Sequence, residues 1–326
     1  MNNTPQPSFR IDPTLTLALA QASLAAYNDY ERKPFKAPDN YIYWARFTGW
    51  DDWFSTYGQE ERFGLIFKYV GPENVKNRFI VAFRGTSSIA DLYEDANFEL
   101  EAFKPFSNTV SPVANVSSGF NSIYATKGGN MKLTMQQQIF TALAPTASEI
   151  FITGHSLGGA LSQLFTLDMR VSLPTVRIGT INFASPMVGD ASWQTACNNA
   201  GATGKIIRVA NYWDIIPTFP WYVPGYVSIG REFNIAFSSI FGTVDALSDH
   251  SLLNYQTVLN HCVWLNPQVW VGHFIDAVYG LRMSSTAVPS VAKETWLSTL
   301  KEIHEMKRSL LATNEIAERE IVLFEE

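Results

Sequence analysis

Short apolar blocks alternate with amphipathic stretches along most of this chain. Residues 63–70 and 78–83 carry strand-like runs, separated by the turn-forming Gly71-Pro72-Glu73-Asn74. Beyond them, 131–143 has helical spacing, 149–153 is a short apolar run, 157–169 is again helical, 176–183 reads as strand, 191–199 as helix and 205–210 as strand. Strands that alternate with helices predict an α/β fold with a mostly parallel central sheet flanked by helices. Nearer the start, residues 15–26 form an apolar helix whose beginning is marked by Asp12 as N-cap and Pro13 at the first helical position. Tyr43, Trp44, Phe47, Trp50, Trp53 and Phe54 crowd the segment 41–57, which reads as side chains packed under long loops.

Composition narrows the class. With 326 residues, 46% of them hydrophobic and 17% charged, the chain buries a sizeable core and is not disordered. A net charge of -6 offers no basic surface to phosphates and argues against nucleic acid as a partner. Two cysteines, Cys197 and Cys262, are too few for a disulfide framework and read as buried thiols. No apolar run reaches the roughly 18 residues needed to span a bilayer. The helix at 15–26 imitates a secretory core segment, but only Arg10 precedes it as a positive charge, so no clear export signal is expected.

The strand at 149–153 runs directly into Gly154-His155-Ser156-Leu157-Gly158 and then into a helix. A sharp strand-to-helix turn of this kind exposes a serine hydroxyl at a helix N-terminus, with glycines where backbones pass closely. Ser156 is therefore the candidate nucleophile, and the N–H of Leu157 a candidate donor to a developing oxyanion.

A serine needs a base, and the base needs a carboxylate. Of five histidines, His155 adjoins the serine and is expected to point elsewhere, His273 lies in an apolar run, and His304 lies on a charged helix. His250, in the polar segment Ser248-Asp249-His250-Ser251, is preferred to His261, which falls late in the following helix. In the serine, acid, histidine order of α/β-hydrolases the acid lies between 156 and 250, where Asp168, Asp190, Asp214, Glu232, Asp245 and Asp249 compete. Asp214 is the best placed, in the loop that follows the strand 205–210. A second oxyanion donor is expected after an earlier strand, and Arg84-Gly85-Thr86 offers Thr86.

Taken together, these residues resemble the class 3 lipases, a fungal-lipase-like branch of the α/β-hydrolases. The resemblance rests on Ala82-Phe83-Arg84-Gly85-Thr86, on Gly154-His155-Ser156-Leu157-Gly158-Gly159-Ala160, on Phe183-Ala184-Ser185-Pro186-Met187-Val188-Gly189-Asp190, and on the Asp214 and His250 regions. It covers roughly positions 20–262 and implies Ser156, Asp214 and His250 as catalytic residues, with Thr86 and Leu157 forming the oxyanion hole. It also implies a carboxylic ester hydrolase, foremost a triacylglycerol lipase, that takes an acylglycerol or other ester and uses no metal or cofactor. A phospholipase A1, an aryl-ester esterase or a non-catalytic binding protein of the same fold are the alternatives. Secretion is suggested by the resemblance alone. Ser117 and Ser228 stand where many members have histidine, and Met187 where arginine is usual.

A lid follows the oxyanion residue in the family, and 87–96 has Ile89, Leu92, Tyr93 and Ala96 at helical spacing, suited to transient contact with a lipid interface or to a fixed surface helix. After the hydrolase domain, set at 1–262, a helical extension is expected at 263–326. Within it, 293–320 is charged, with Trp296, Leu300, Ile303, Leu310 and Leu311 near one face.

Overall fold

A computed structural model describes residues 12–51, 58–73, 75, 77–86, 98–143, 146–211, 213–220, 223–235, 237–239, 249–265, 274–276 and 281–283. The chain divides into two compact units, Met1–Ser285 and Thr286–Glu326, and the boundary expected at 262/263 lies within the first. The expected amphipathic stretches at 87–96 and 293–320 both lie outside the described residues.

Helix α1 (Pro13–Tyr30) starts where its cap places it: Asp12 Oδ1 accepts the N–H groups of Thr14 and Leu15 at 2.9 and 3.2 Å. The central sheet is built from β1 (Tyr41–Asp51), β2 (Gln59–Tyr69), β3 (Arg78–Phe83), β6 (Glu149–Gly154), β7 (Arg177–Phe183), β8 (Ile206–Asn211) and β9 (Arg231–Ile235), in the order β1-β2-β3-β6-β7-β8-β9. From β3 to β9 every neighbour is parallel, while β1 and β2 add an antiparallel edge. Two small sheets complete the described strands: β4 (Leu100–Ala102) pairs with β5 (Asn115–Ser117), and β12 (Leu281–Met283) lies between β10 (Phe237–Ser239) and β11 (Phe274–Asp276).

The aromatic segment after residue 40 is thus a long edge strand over Tyr41–Asp51, where the sequence suggested side chains under loops. An edge strand buries only part of its length. Phe47 is buried while Tyr43 and Trp44 remain exposed, so the alternation that marks a strand is weak at the sequence level.

Side chains alternate across the parallel strands, so each strand feeds two cores. On one face, Ile80 and Ala82 of β3, Phe183 of β7 and Val209 of β8 pack with Leu19, Ala22 and Ala26 of α1 and with Tyr255, Val258 and Leu259 of α6 (Leu252–Leu265). On the alternate positions, Phe83 meets Phe165 of α4 (Leu157–Ser172), and Phe165 meets Phe140 of α3 (Met135–Leu143). Two further helices, α2 (Ser118–Ala125) and α5 (Ala191–Asn199, capped by Asp190), complete the described helices of four residues or more. Cys197 on α5 is a buried free thiol, and the side chain of Cys262 lies outside the described residues.

Helix α4 is buried along nearly its whole length, and its polar side chains are each satisfied inside the protein. Ser162 donates to Gly159 O at 2.6 Å, Gln163 to Ser185 Oγ at 2.6 Å, and Thr166 shares a hydrogen bond with Thr180 at 2.6 Å. Asp168 collects four donors: the Phe106 N–H at 2.7 Å, Ser172 Oγ at 2.8 Å, Gln136 Nε2 at 2.6 Å and Tyr124 OH at 2.9 Å. Burial raises its pKa and those hydrogen bonds oppose the rise. Asp168 thereby pins α2, α3 and the loop at 106 to the helix that begins at Ser156.

No helix among the described residues is long and apolar enough to cross a membrane. Replacing Asp168 with alanine strands the Phe106 N–H and the Tyr124 hydroxyl and leaves Gln136 and Ser172 with only the Lys104 and Ser107 carbonyls, and urea unfolding is expected to show a loss of about 3 kcal/mol or more. A variant within about 1 kcal/mol of the wild type would remove Asp168 from the supports of the fold.

Candidate active site

Ser156 sits between β6 and α4 with φ 58° and ψ -127°, a backbone setting that L-residues rarely occupy. Its surroundings hold it there. The Ser156 N–H donates to Phe183 O at 3.0 Å, Gly158 N to His155 O at 2.9 Å and Gly159 N to Ser156 O at 2.8 Å. Gly154 cannot be another residue without movement, because a Cβ there would lie 2.1 Å from the Gly158 carbonyl oxygen. The turn points the start of α4 at the loop after β3, and Leu157, as the first helical residue, has an N–H with no intrahelical acceptor. Thr86, half-buried, follows Gly85 in that facing loop.

Arg84 braces the loop from beneath. Its buried guanidinium donates to Arg62 O and to Gly85 O, both at 2.8 Å, pairs with Glu61, and lies 3.8 and 4.2 Å from the ring centres of Tyr30 and Phe63.

The candidate acid and the candidate base meet at the neighbouring strand end. Asp214 stands in the turn after β8, where its own N–H donates to Asn211 O at 3.0 Å. One carboxylate oxygen accepts the Ile216 N–H at 2.9 Å; the other accepts His250 Nδ1–H at 2.8 Å and Tyr255 OH at 3.0 Å. A carboxylate only accepts, so Nδ1 of His250 carries the proton and Nε2 presents its lone pair. Nε2 of His250 and Oγ of Ser156 are both buried and have no hydrogen-bond partner among the described residues. Tyr255 is held neutral by burial and by the adjoining Asp214 charge, so it remains a donor, and its oxygen accepts the Asn211 N–H at 2.6 Å. Arg208 ties the acid loop in place, donating to Ser185 O at 3.0 Å and Pro217 O at 2.8 Å with Glu232 as counter-charge at 3.5 Å.

His155 points away from its neighbour Ser156, as the sequence suggests, and toward His250. Its ring centre lies 4.5 Å from that of His250, and its Nε2 bonds the His250 carbonyl oxygen at 2.7 Å. Of the other candidate acids, Asp168 is the helix anchor, Asp190 caps α5 and Glu232 pairs with Arg208; Asp245 lies outside the described residues, as do His273, His304 and the side chain of His261. Sequence reasoning missed Tyr255 and Tyr27. An aromatic at helical spacing gives no sign that its hydroxyl is spent on a carboxylate. Among the described residues, no three His, Cys, Asp or Glu side chains converge as a metal site.

Burial, and next to it the nearby His250, push the His155 pKa well below its usual value of about 6.5. The unfolded chain takes up a proton there as pH falls below about 6.5 and the native state does not, so stability is full above that pH and declines beneath it. Between pH 7.5 and 5.5 the free energy of unfolding should lose about 1.4 kcal/mol in all from this group, and His155→Phe should flatten the slope. An unchanged slope in the variant would show that His155 is protonated in the fold.

Residues 80–223 match the family model described as lipase (class 3). A lipase of Rhizomucor miehei is 27% identical over 191 residues, covering 56% of this chain and 50% of its own length. The phospholipase A1 EG1 of Oryza sativa subsp. indica is 26% identical over 209 residues, covering 55% of this chain and 47% of the relative. The chain therefore spans about half the length of the curated relatives it matches. Among solved structures, the nonglycosylated Lip2 lipase of Yarrowia lipolytica aligns with a TM-score of 0.53 at 18% identity, over 71% of this chain and 82% of that one. A lipase from Rhizopus microsporus var. chinensis aligns with a TM-score of 0.51 at 20% identity, over 72% and 80%. These likenesses establish the α/β-hydrolase fold.

Proposed function

We propose that this chain, which belongs to the class 3 lipase family, hydrolyses carboxylic esters of the acylglycerol class, with Ser156 as nucleophile, His250 as general base and acid, and Asp214 as the carboxylate behind it. The observation that carries the reading is the left-handed Ser156 at the β6–α4 turn, together with the Asp214–His250 hydrogen bond at the neighbouring strand end. A serine is held in so unfavourable a backbone setting only where its hydroxyl has to stand clear of the sheet.

In this reading Ser156 Oγ attacks the ester carbonyl carbon while His250 Nε2 takes the hydroxyl proton. The carbonyl oxygen becomes an anion held by the N–H groups of Leu157 and Thr86. Asp214 stabilises the imidazolium through Nδ1–H without taking that proton. His250 then protonates the departing alkoxide, the C–O bond to the alcohol breaks, and an acyl-serine remains. Water gives a proton to His250, adds to the acyl carbon, and releases the fatty acid as Ser156 recovers its proton. The relatives named phospholipase A1 support a second substrate for the same chemistry, the acyl ester of a phospholipid.

The purified chain is expected to cleave p-nitrophenyl esters, with emulsified triglyceride and phospholipid compared side by side, and Ser156→Ala is expected to abolish cleavage of all three. A wild type inert on every ester, or a Ser156→Ala variant as active as its parent, would end the hydrolase reading. Asp214→Asn should keep the fold yet lower kcat by about 10⁴-fold, since the amide stabilises the wrong tautomer and no charge. A loss below about tenfold would leave His250 working without Asp214.

A further inference from the structure

The N-terminal helix does more than cover the sheet. Near the C-terminal end of α1, the hydroxyl of Tyr27 lies 2.9 Å from His155 Nδ1. The His155 Nε2 contact at 2.7 Å is to a carbonyl oxygen, which only accepts, so Nε2 carries the proton and Nδ1 is an acceptor. Tyr27 must therefore donate to Nδ1. Its oxygen in turn faces the backbone of Gly85, the residue before Thr86. The fit there is close: a Cβ on Gly85 would lie 2.3 Å from the Tyr27 oxygen and 2.9 Å from Ser156 Cβ. The two hydrogen bonds run in one direction, from Tyr27 to His155 and from His155 to the carbonyl of His250, with Gly85 packed against the Tyr27 oxygen at their head.

The helix that carries Tyr27 is itself fastened to the same strands. Ser23 Oγ donates to Phe83 O at 3.2 Å, and Thr153 Oγ1 donates to Leu19 O at 3.4 Å. At its end, Asp29 accepts a two-pronged contact from Arg46 of β1, at 2.5 and 2.6 Å. Tyr27 thus has little freedom to move relative to β3 or β6.

We infer that Tyr27 is a positioning residue that sets the oxyanion loop at Gly85-Thr86 and the backbone of His250 relative to each other, with His155 as the link. The inference rests on the hydrolase reading of Ser156 and His250. Tyr27 touches no reacting atom. It acts by holding donor and base at a fixed separation, and a shift in that separation weakens the transition state more than the binding of substrate.

The test compares the full-length wild type, Tyr27→Phe, His155→Phe and the double variant. Two rates are read: kcat and KM for p-nitrophenyl butyrate, and the rate at which a fluorophosphonate probe labels Ser156. Tyr27→Phe should lower kcat and the labelling rate about tenfold with KM within about twofold, and the double variant should lose no more than His155→Phe alone. Rates within about twofold of the wild type, multiplying effects in the double variant, or a lowered Tm with unchanged labelling would each overturn the inference. If Tyr27→Phe does not fold, the ¹⁵N shifts of His155 in the wild type decide instead. A protonated Nε2 with a bonded, unprotonated Nδ1 supports the chain of bonds, and a protonated Nδ1 breaks it. A wild type whose Ser156 resists labelling counts against the hydrolase reading, whereas a labelled wild type with an equally labelled Tyr27→Phe counts only against the positioning role.

Discussion

The backbone at Ser156 is where the rest of the structure is anchored, because a conformation at φ 58° with a side chain attached costs about 1–3 kcal/mol and persists only under constraint. The constraint is the crossing of β6 and α4 so tightly that Gly154 has no room for a methyl group. That crossing is held from three directions. Phe183 at the end of β7 accepts the Ser156 N–H, the loop after β3 presses on the serine through Gly85, and the buried α4 is locked behind by Asp168. The parallel order β3-β6-β7-β8 places the Phe183 and Gly85 contacts at one end of the sheet, together with the turn that bears Asp214.

Charged groups do the fine positioning. Arg84 fixes Gly85 O in the loop after β3, and Arg208 ties Pro217 O in the loop after β8 to Ser185 O beside it. Both guanidiniums are buried, so each must be paired and hydrogen-bonded to be tolerated there. Each meets a glutamate, Glu61 or Glu232, and also donates to two backbone carbonyls. The planar, multi-pronged geometry of arginine suits the holding of two loops at once, which a lysine would not do. The arginines therefore stiffen the segments that border Ser156 and His250 without entering the chemistry.

Much of the fold is legible along the chain because its signals are local. Asp12-Pro13 marks the start of α1 within two residues, the apolar runs at 78–83 and 149–153 read directly as strands, and the glycines around Ser156 announce the sharp turn. The choice of His250 and Asp214 also follows from position: one stands just before a helix, the other just past a strand. The structure brings those two together at 2.8 Å. The edge strand at Tyr41–Asp51 is harder to see, since exposure of Tyr43 and Trp44 blurs the alternation by which a half-buried strand is recognised.

What the sequence by itself determined is the set of elements and the chemical types available at their ends, since capping, periodicity and turn formation depend on residues a few positions apart. What only the tertiary structure decided is which of those groups share a hydrogen bond. Tyr27 and His155 are 128 positions apart, His155 and the His250 carbonyl 95, and Asp214 and Tyr255 41. No pattern along the chain encodes such pairings. They arise because side chains on α1, just past β6 and β8, and on α6 are buried together at one end of the strands, where every polar atom must find a partner or carry the cost of being left without one.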